Sequence, residues 1–280
     1  LAQPGNLTVC AGSNGSFTVN ATGSGNTYQW QVSTDGGTTW TNISGANTAT
    51  LSLSAITGTS NNNQYRVVIS TCDPNGLTSN AAILTVNSPA FIGTQPISQS
   101  ACTGSNISFN SSASGTGISY QWQVSTDGGN TWTDINGETN PSLNLTGVST
   151  AMNQNQYHVI VTGSACPGSV TSSAATLTVS DAASITGQPA SVGLCPGNNA
   201  VFTVTASGNG ISYQWQVSTD GGNTWTDISG ATGNIYTLNA VTPAQHNNLY
   251  RVIVFNSCSS TGVISSTAIL TVENQAGITQ

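Results

Sequence analysis

One stretch of this chain is spelled three times. Residues 28–40 read YQWQVSTDGGTTW, and residues 120–132 and 213–225 both read YQWQVSTDGGNTW. The copies start 92 and 93 residues apart, so a module of that length recurs through the chain. A fixed period of this size constrains everything else, because each copy must fold as one unit and bury its own apolar face. It divides the chain into residues 1–87, 88–180 and 181–273, with 274–280 left as a linker or a donor-strand tail. A feature present in triplicate reads as scaffold before it reads as active site.

The repeated stretch has a definite local reading. Tyr-Gln-Trp-Gln-Val alternates large apolar with polar residues, the period of a half-buried strand. Asp-Gly-Gly follows as a turn, since glycine tolerates positive φ and Asp bonds the backbone just beyond it. Thr-Trp-Thr then returns, giving a β-hairpin with a longer-than-minimal loop. Ser33, Asp35, Gly37, Thr39 and Trp40 also spell S-x-D-x-G-x-T-W. That pattern resembles the Asp-box hairpin of sialidase-like propellers, in which it is a structural turn away from the catalytic centre. The resemblance implies a structural role for Asp35, Asp127 and Asp220 and for Trp40, Trp132 and Trp225, set against a cation site at the three Asp.

Composition narrows the function classes. Only 4% of residues are charged, against about 25% in ordinary soluble domains, so Ser, Thr, Asn and Gly must do the solvating. There is no Lys, and the only two Arg are Arg66 and Arg251. A net charge of −7 opposes nucleic-acid binding, which needs cations to neutralise phosphate. Without Lys there is no Schiff-base chemistry and no Lys–Asn isopeptide link. No run approaches the ~18 apolar residues of a spanning helix, so no membrane insertion is expected. Leu1 already lies inside a repeat, since Gln3-Pro4 matches Gln95-Pro96 and Gln188-Pro189. The sequence is therefore expected to be a processed form or a window on a longer array.

Each module predicts about seven short strands. In the first, Leu7 to Cys10 precedes an alternating segment at Phe17, Val19 and Ala21. The hairpin of Tyr28–Val32 and Thr39–Ile43 follows, then Leu51 and Leu53. An Asn-rich corner at Asn61 to Asn63 leads into Tyr65–Ile69, and a turn near Asp73–Gly76 returns the chain as Ala82–Val86. No helical period of useful length appears, and short strands with regular turn signals argue for an antiparallel sandwich. Trp30, Trp122 and Trp215 on the third strand, followed by Tyr65, Tyr157 and Tyr250 after the corner, resemble the core Trp and the tyrosine corner of the immunoglobulin (Ig) fold. The set is similar to tandem Ig-like modules of large secreted or cell-surface bacterial adhesins and filaments, of Bacteroidota type. The implied fold class is all-β: three tandem Ig-like antiparallel β-sandwiches arranged head to tail.

The six cysteines depart from the antibody pattern. The positions of the usual intra-sandwich pair are taken by Val19 and Val67, by Phe109 or a close neighbour and Val159, and by Val204 and Val252. Cys10, Cys102 and Cys195 precede the second strand, while Cys72, Cys166 and Cys258 follow the sixth. In the Ig topology those places lie at opposite poles, about 20 Å apart for six-residue strands, and a disulfide needs Cα atoms within about 7 Å. The expected bonds are therefore Cys10–Cys166 and Cys102–Cys258, each across a module junction. Cys72 and Cys195 are left for neighbouring modules or subunits. Pairing within modules and free thiols remain open at this point. The even, repeated count points to an oxidising, extracellular setting.

Chemistry is sparse. His158 and His246 are expected to be exposed, and neither has a Cys or carboxylate at ligand spacing. Asp134 and Asp227 are expected to face solvent. There is no nucleophile elbow and no S-x-x-K, and two Arg in different modules cannot build a sialidase cluster. No enzyme activity, metal or cofactor is expected. Asn-x-Ser/Thr sequons fall at Asn6, Asn14, Asn20, Asn42, Asn106, Asn110 and Asn144. The reading that results is a secreted structural region, the stalk of an adhesin or surface filament. Its partners would be further Ig-like modules or identical subunits, joined head to tail. The alternative is a carbohydrate-binding array gripping surface polysaccharide through Trp40, Trp132 and Trp225.

Overall fold

The computed structural model describes residues 2–70 and 76–273. Cys72 and the Asp73–Gly76 turn fall wholly or mostly outside the described residues, as does the 274–280 tail. The first module has eight strands: β1 Leu7–Cys10, β2 Gly15–Thr18, β3 Thr27–Ser33, β4 Thr41–Asn42, β5 Thr50–Leu53, β6 Gln64–Ser70, β7 Leu77–Thr78 and β8 Ala82–Asn87. One sheet runs β1-β8-β6-β3-β4 with β7 also on β6, and the second pairs β2 with β5. β3 and β6 are antiparallel, Trp30 opposite Val67. β1 pairs with β8 in parallel, with Cys10 opposite Asn87. The third module repeats this order, and Ser184–Gly187 adds a first strand on Thr205–Ser207. In the middle module Phe91–Thr94 does the same on Ser112–Ser114. Among the described residues, the first module keeps only the Ala2–Asn20 bridge there.

The chain packs as two compact units that do not follow the repeat. One holds Leu1–Ile97, Phe109–Leu143 and Gln156–Ala175. The other holds Ser98–Ser108, Asn144–Asn155 and Thr176–Gln280.

The cores are built on the third-strand Trp. Trp30, Trp122 and Trp215 are fully buried, and each indole N–H donates to a backbone carbonyl, of Thr48, Asn140 and Gly233, at 2.9–3.0 Å. Phe17 stacks on Tyr65 at 4.8 Å between ring centres, Phe109 on Tyr157 at 5.0 Å, and Phe202 on Tyr250 at 4.6 Å. The Tyr65 and Tyr250 hydroxyls bond the side chains of Asn63 and Asn248, two residues upstream, and burial pushes both phenols up.

Val19 and Val67 lie in the core around Trp30, and Val204 and Val252 in the core around Trp215. In the middle module the position falls not on Phe109 but on a close neighbour. Val19, Ser111 and Val204 make the same backbone bond, to the carbonyls of Ala49, Pro141 and Asn234. Phe109 is thus the counterpart of Phe17 and Phe202, and Ser111 takes the valine position. Its hydroxyl is satisfied there by Thr94 O at 3.0 Å.

Two devices were not read from the sequence. The return strand is broken between β7 and β8, and the buried Ser79 fills the break. Val67 N donates to Ser79 Oγ, while Ser79 N donates to Val67 O. Ser172 and Ser265 repeat this at Val159 and Val252. The glutamine of each Gln-Pro pair closes the same bulge: Gln3, Gln95 and Gln188 Oε1 accept from the amides of Asn80, Ser173 and Ser266 at 2.7–2.8 Å.

Truncating one core indole both opens a cavity and strands a carbonyl. Trp30→Ala should destabilise the first module by about 3–5 kcal/mol. Urea unfolding followed by hydrogen exchange should show the loss confined to that module.

Candidate functional site

The repeated loop is a closed hydrogen-bond system around one carboxylate. Asp35 Oδ1 accepts the amides of Thr38 and Thr39 at 3.0 and 2.9 Å, and Oδ2 accepts the Thr39 hydroxyl at 2.6 Å. Ser33 Oγ donates to Asp35 Oδ1 and accepts from Gly37 N. Gly36 and Gly37 both take positive φ, 74° and 93°, which explains why two glycines stand there. Asp127 and Asp220 hold the same donors in their loops. These bonds to the charged form lower the Asp127 pKa to about 2 and hold Asp35 and Asp220 well below the usual carboxylate range. Among the described residues no group of three or more His, Cys, Asp or Glu gathers in a way that could hold a metal ion.

The second Trp of each loop is half-buried, and one of its faces is covered. The Arg66 and Arg251 guanidinium carbons lie 4.1 Å above the rings of Trp40 and Trp225. In the middle module the His158 imidazole stacks on Trp132 with ring centres 3.7 Å apart. His158 is therefore buried, at 8% exposure, which corrects the expectation of a solvent-facing histidine: the indole and its own strand exclude water. Burial pushes the imidazole pKa down. Its Nε2 meets Gln123 Oε1 at 2.7 Å, and Gln123 Nε2 donates to Asp134 at 2.6 Å. Because Asp134 accepts, Gln123 must turn its carbonyl toward the ring, which fixes the proton on Nε2. Gln31 and Gln216 relay in the same way between Arg66 and Asn42, and between Arg251 and Asp227. The Trp40, Trp132 and Trp225 indole N–H groups donate to the carbonyls of Gly37, Gly129 and Gly222 at 3.0–3.2 Å. His246 is exposed as expected, and its Nδ1 accepts from Val272 N at 3.1 Å. Asn61 and Asn153 make the same bond to Val86 and Val179.

The cysteines join neighbouring modules. Cys10 is bonded to Cys166 with Cα atoms 5.7 Å apart, and Cys102 to Cys258 at 5.6 Å; both bonds span 156 positions in sequence. Each lies inside one of the two compact units. The incoming sulfur of Cys166 sits 3.4 Å from Asn87 O, and that of Cys258 3.5 Å from Ser180 O. These are the residues opposite Cys10 and Cys102 in the parallel strand pairs. Cys195 is free and exposed.

A family described as Domain of unknown function (DUF8696) matches residues 2–88, 92–181 and 185–274. No curated protein sequence matches. Among solved structures, the I-band fragment I67-I69 from titin is similar at 15% identity and a TM-score of 0.61, covering 97% of each chain. The three N-terminal domains of the bacteriophage RB49 highly immunogenic outer capsid protein align at 14% identity and a TM-score of 0.52, over 97% of this chain and 99% of that one. Sidekick-1 immunoglobulin domains 1–4 align at 16% and 0.52, over 96% and 74%. At these identities the likeness is one of fold: three Ig-like domains in tandem.

The loop carboxylates give a signed pH dependence. Their folded-state pKa lies below the ordinary value of about 3.9, so their contribution is full above pH ~4 and is lost as pH falls toward ~2. The melting temperature should therefore drop more steeply from pH 4 to pH 2 in the native chain than in a D35N/D127N/D220N variant. Equal slopes in calorimetry would contradict this account of the loops.

Proposed function

Since this chain belongs, three times over, to the family described as Domain of unknown function (DUF8696), we propose that its role is architectural: a non-enzymatic spacer of Ig-like modules working outside the cell. The observation that carries this reading is the pair of disulfides between consecutive modules. Domains joined only by a peptide linker move relative to one another by default. A second covalent tie at each junction removes the pivot, which serves reach and stiffness and has no use in catalysis. Disulfides persist in oxidising compartments, which favours secretion or display at a surface. The loops support the same reading, since their carboxylates and indoles are committed to holding the hairpin and its stack.

Within that role the stalk of a surface adhesin or the shaft of an extracellular filament fits best, with further modules or identical subunits as partners. A sparsely charged, net acidic surface of Ser, Thr and Asn stays hydrated without attracting nucleic acid.

Electron microscopy of the oxidised chain tests the proposal. Three sandwiches of about 3–4 nm each, from strands rising ~3.3 Å per residue plus loops, should give straight particles of about 10 nm. The C10S/C102S variant should give bent particles with a broad spread of junction angles. Compact globules, or the same spread in both samples, would overturn it.

A further inference from the structure

Cys195 is the third member of a set whose other two members are already bonded. It follows Cys10 and Cys102 at the repeat spacing, and the backbone around it is the same. The carbonyl of each of the three cysteines accepts the amide three residues on, from Ser13, Ser105 and Asn198 at 3.1, 3.0 and 3.4 Å. Two residues past each cysteine stands a glycine with φ of 88°, 86° and 87°. Its amide donates to Ile56, Val148 or Val241 at 2.7–2.8 Å. The strand before Cys195 pairs in parallel with the last strand of its module, Leu194 opposite Val272, and Glu273 N donates to Leu194 O. Cys195 thus stands beside Glu273, as Cys10 stands beside Asn87 and Cys102 beside Ser180. The one departure is Pro196. It has no amide to match those of Ala11 and Thr103, which donate to the Asn87 and Ser180 carbonyls.

We infer that Cys195 is a covalent attachment point for the cysteine that follows the sixth strand of another module of this family. The thiol is presented on the turn that, twice in this chain, already holds such a bond. The acceptor carbonyl flanking the incoming sulfur at the first two junctions has its counterpart at Glu273. Bond formation follows ordinary exchange. Oxidised glutathione, or another small disulfide, takes up one thiolate as a mixed disulfide and releases one reduced thiol. The second thiolate then displaces the other half, so one disulfide forms and two small thiols leave. The partner module can come from the same polypeptide or from a second copy, whose Cys72 occupies the matching place in sequence. The inference rests on the register of the repeat and not on the spacer role, so either can fail alone.

Two full-length variants supply the test. C72S leaves Cys195 as the only unpaired thiol, and C195S leaves only Cys72. Mixed in a glutathione redox buffer, they should form a heterodimer carrying a 195–72 linked peptide, at least tenfold more abundant than either homodimer. The Cys10–Cys166 and Cys102–Cys258 peptides should stay intact, and unchanged circular dichroism should confirm that both variants are folded. In native material, a link from Cys195 to the Cys72 peptide identifies a second copy as the source, and a link to a family-module peptide outside this sequence identifies a different module as the source. Cys195 recovered only as a glutathione adduct or in statistical homodimers, and as free thiol in native material, would overturn the inference.

Discussion

The bond from the buried indole to a backbone carbonyl sets the geometry of each module. Trp30 lies on the strand opposite β6, and its N–H reaches Thr48 O in the segment that leads into β5, a strand of the other sheet. One side chain therefore fills the centre and pins one sheet to the approach of the other. A fully buried Trp brings its apolar area together with an obligation to place its N–H, and here the obligation specifies the fold. Trp122 and Trp215 discharge it at the same sequence distance, 18 residues on. In antibody domains a disulfide ties the second strand to the sixth; here Val19–Val67 and Val204–Val252 pack in that place, and Ser111 shows that even a hydroxyl fits once it finds Thr94 O.

With so few charges, neutral amides and hydroxyls must complete the backbone. No buried side-chain polar atom among the described residues lacks a partner. The work is done at fixed repeat positions. Gln29, Gln121 and Gln214 each donate to two carbonyls across the hairpin base. Asn14, Asn106 and Asn199 each accept the amide before the 3-10 turn, of Ala55, Gly147 and Ala240. Asn14 and Asn106 are also sequon residues, so their amide oxygens already serve a structural end. Neutral groups cost less to bury than charges, and bonds between them do not weaken with salt as surface ion pairs do.

Much of this was legible in the sequence, and the failures have physical reasons. Strand positions followed from period-two alternation and from comparing the three copies, while the core Trp and core Tyr followed from the resemblance to the Ig fold. The cysteine pairing followed from the pole argument, because strand direction fixes which ends can meet. His158 was misplaced because alternation assigns a side of the sheet but not what covers it. The polar face of β3 and β6 lies under the Trp of the next loop, so an outward residue there becomes buried. Serine at 79, 172 and 265 looked like surface composition; only a broken strand makes its hydroxyl an acceptor for a core amide. The middle module's valine position was legible only as Phe109 or a close neighbour, because Asn-Ser-Ser gives no hydrophobic mark for the register at Ser111.

The direction of the disulfides follows from one further detail of topology. The strand that carries Cys10 runs parallel to the last strand of its own module, Cys10 beside Asn87. The last strand ends where the chain leaves for the next module, so any residue at the end of its parallel neighbour stands at the exit. The loop after the sixth strand returns, by the antiparallel pairing of the sheet, to the entry end of the module that carries it. Exit of one module and entry of the next are joined by the chain itself, so the two kinds of cysteine meet across junctions and stay apart within modules. The repeat places a cysteine at each of these ends, and both junctions within this chain carry the bond.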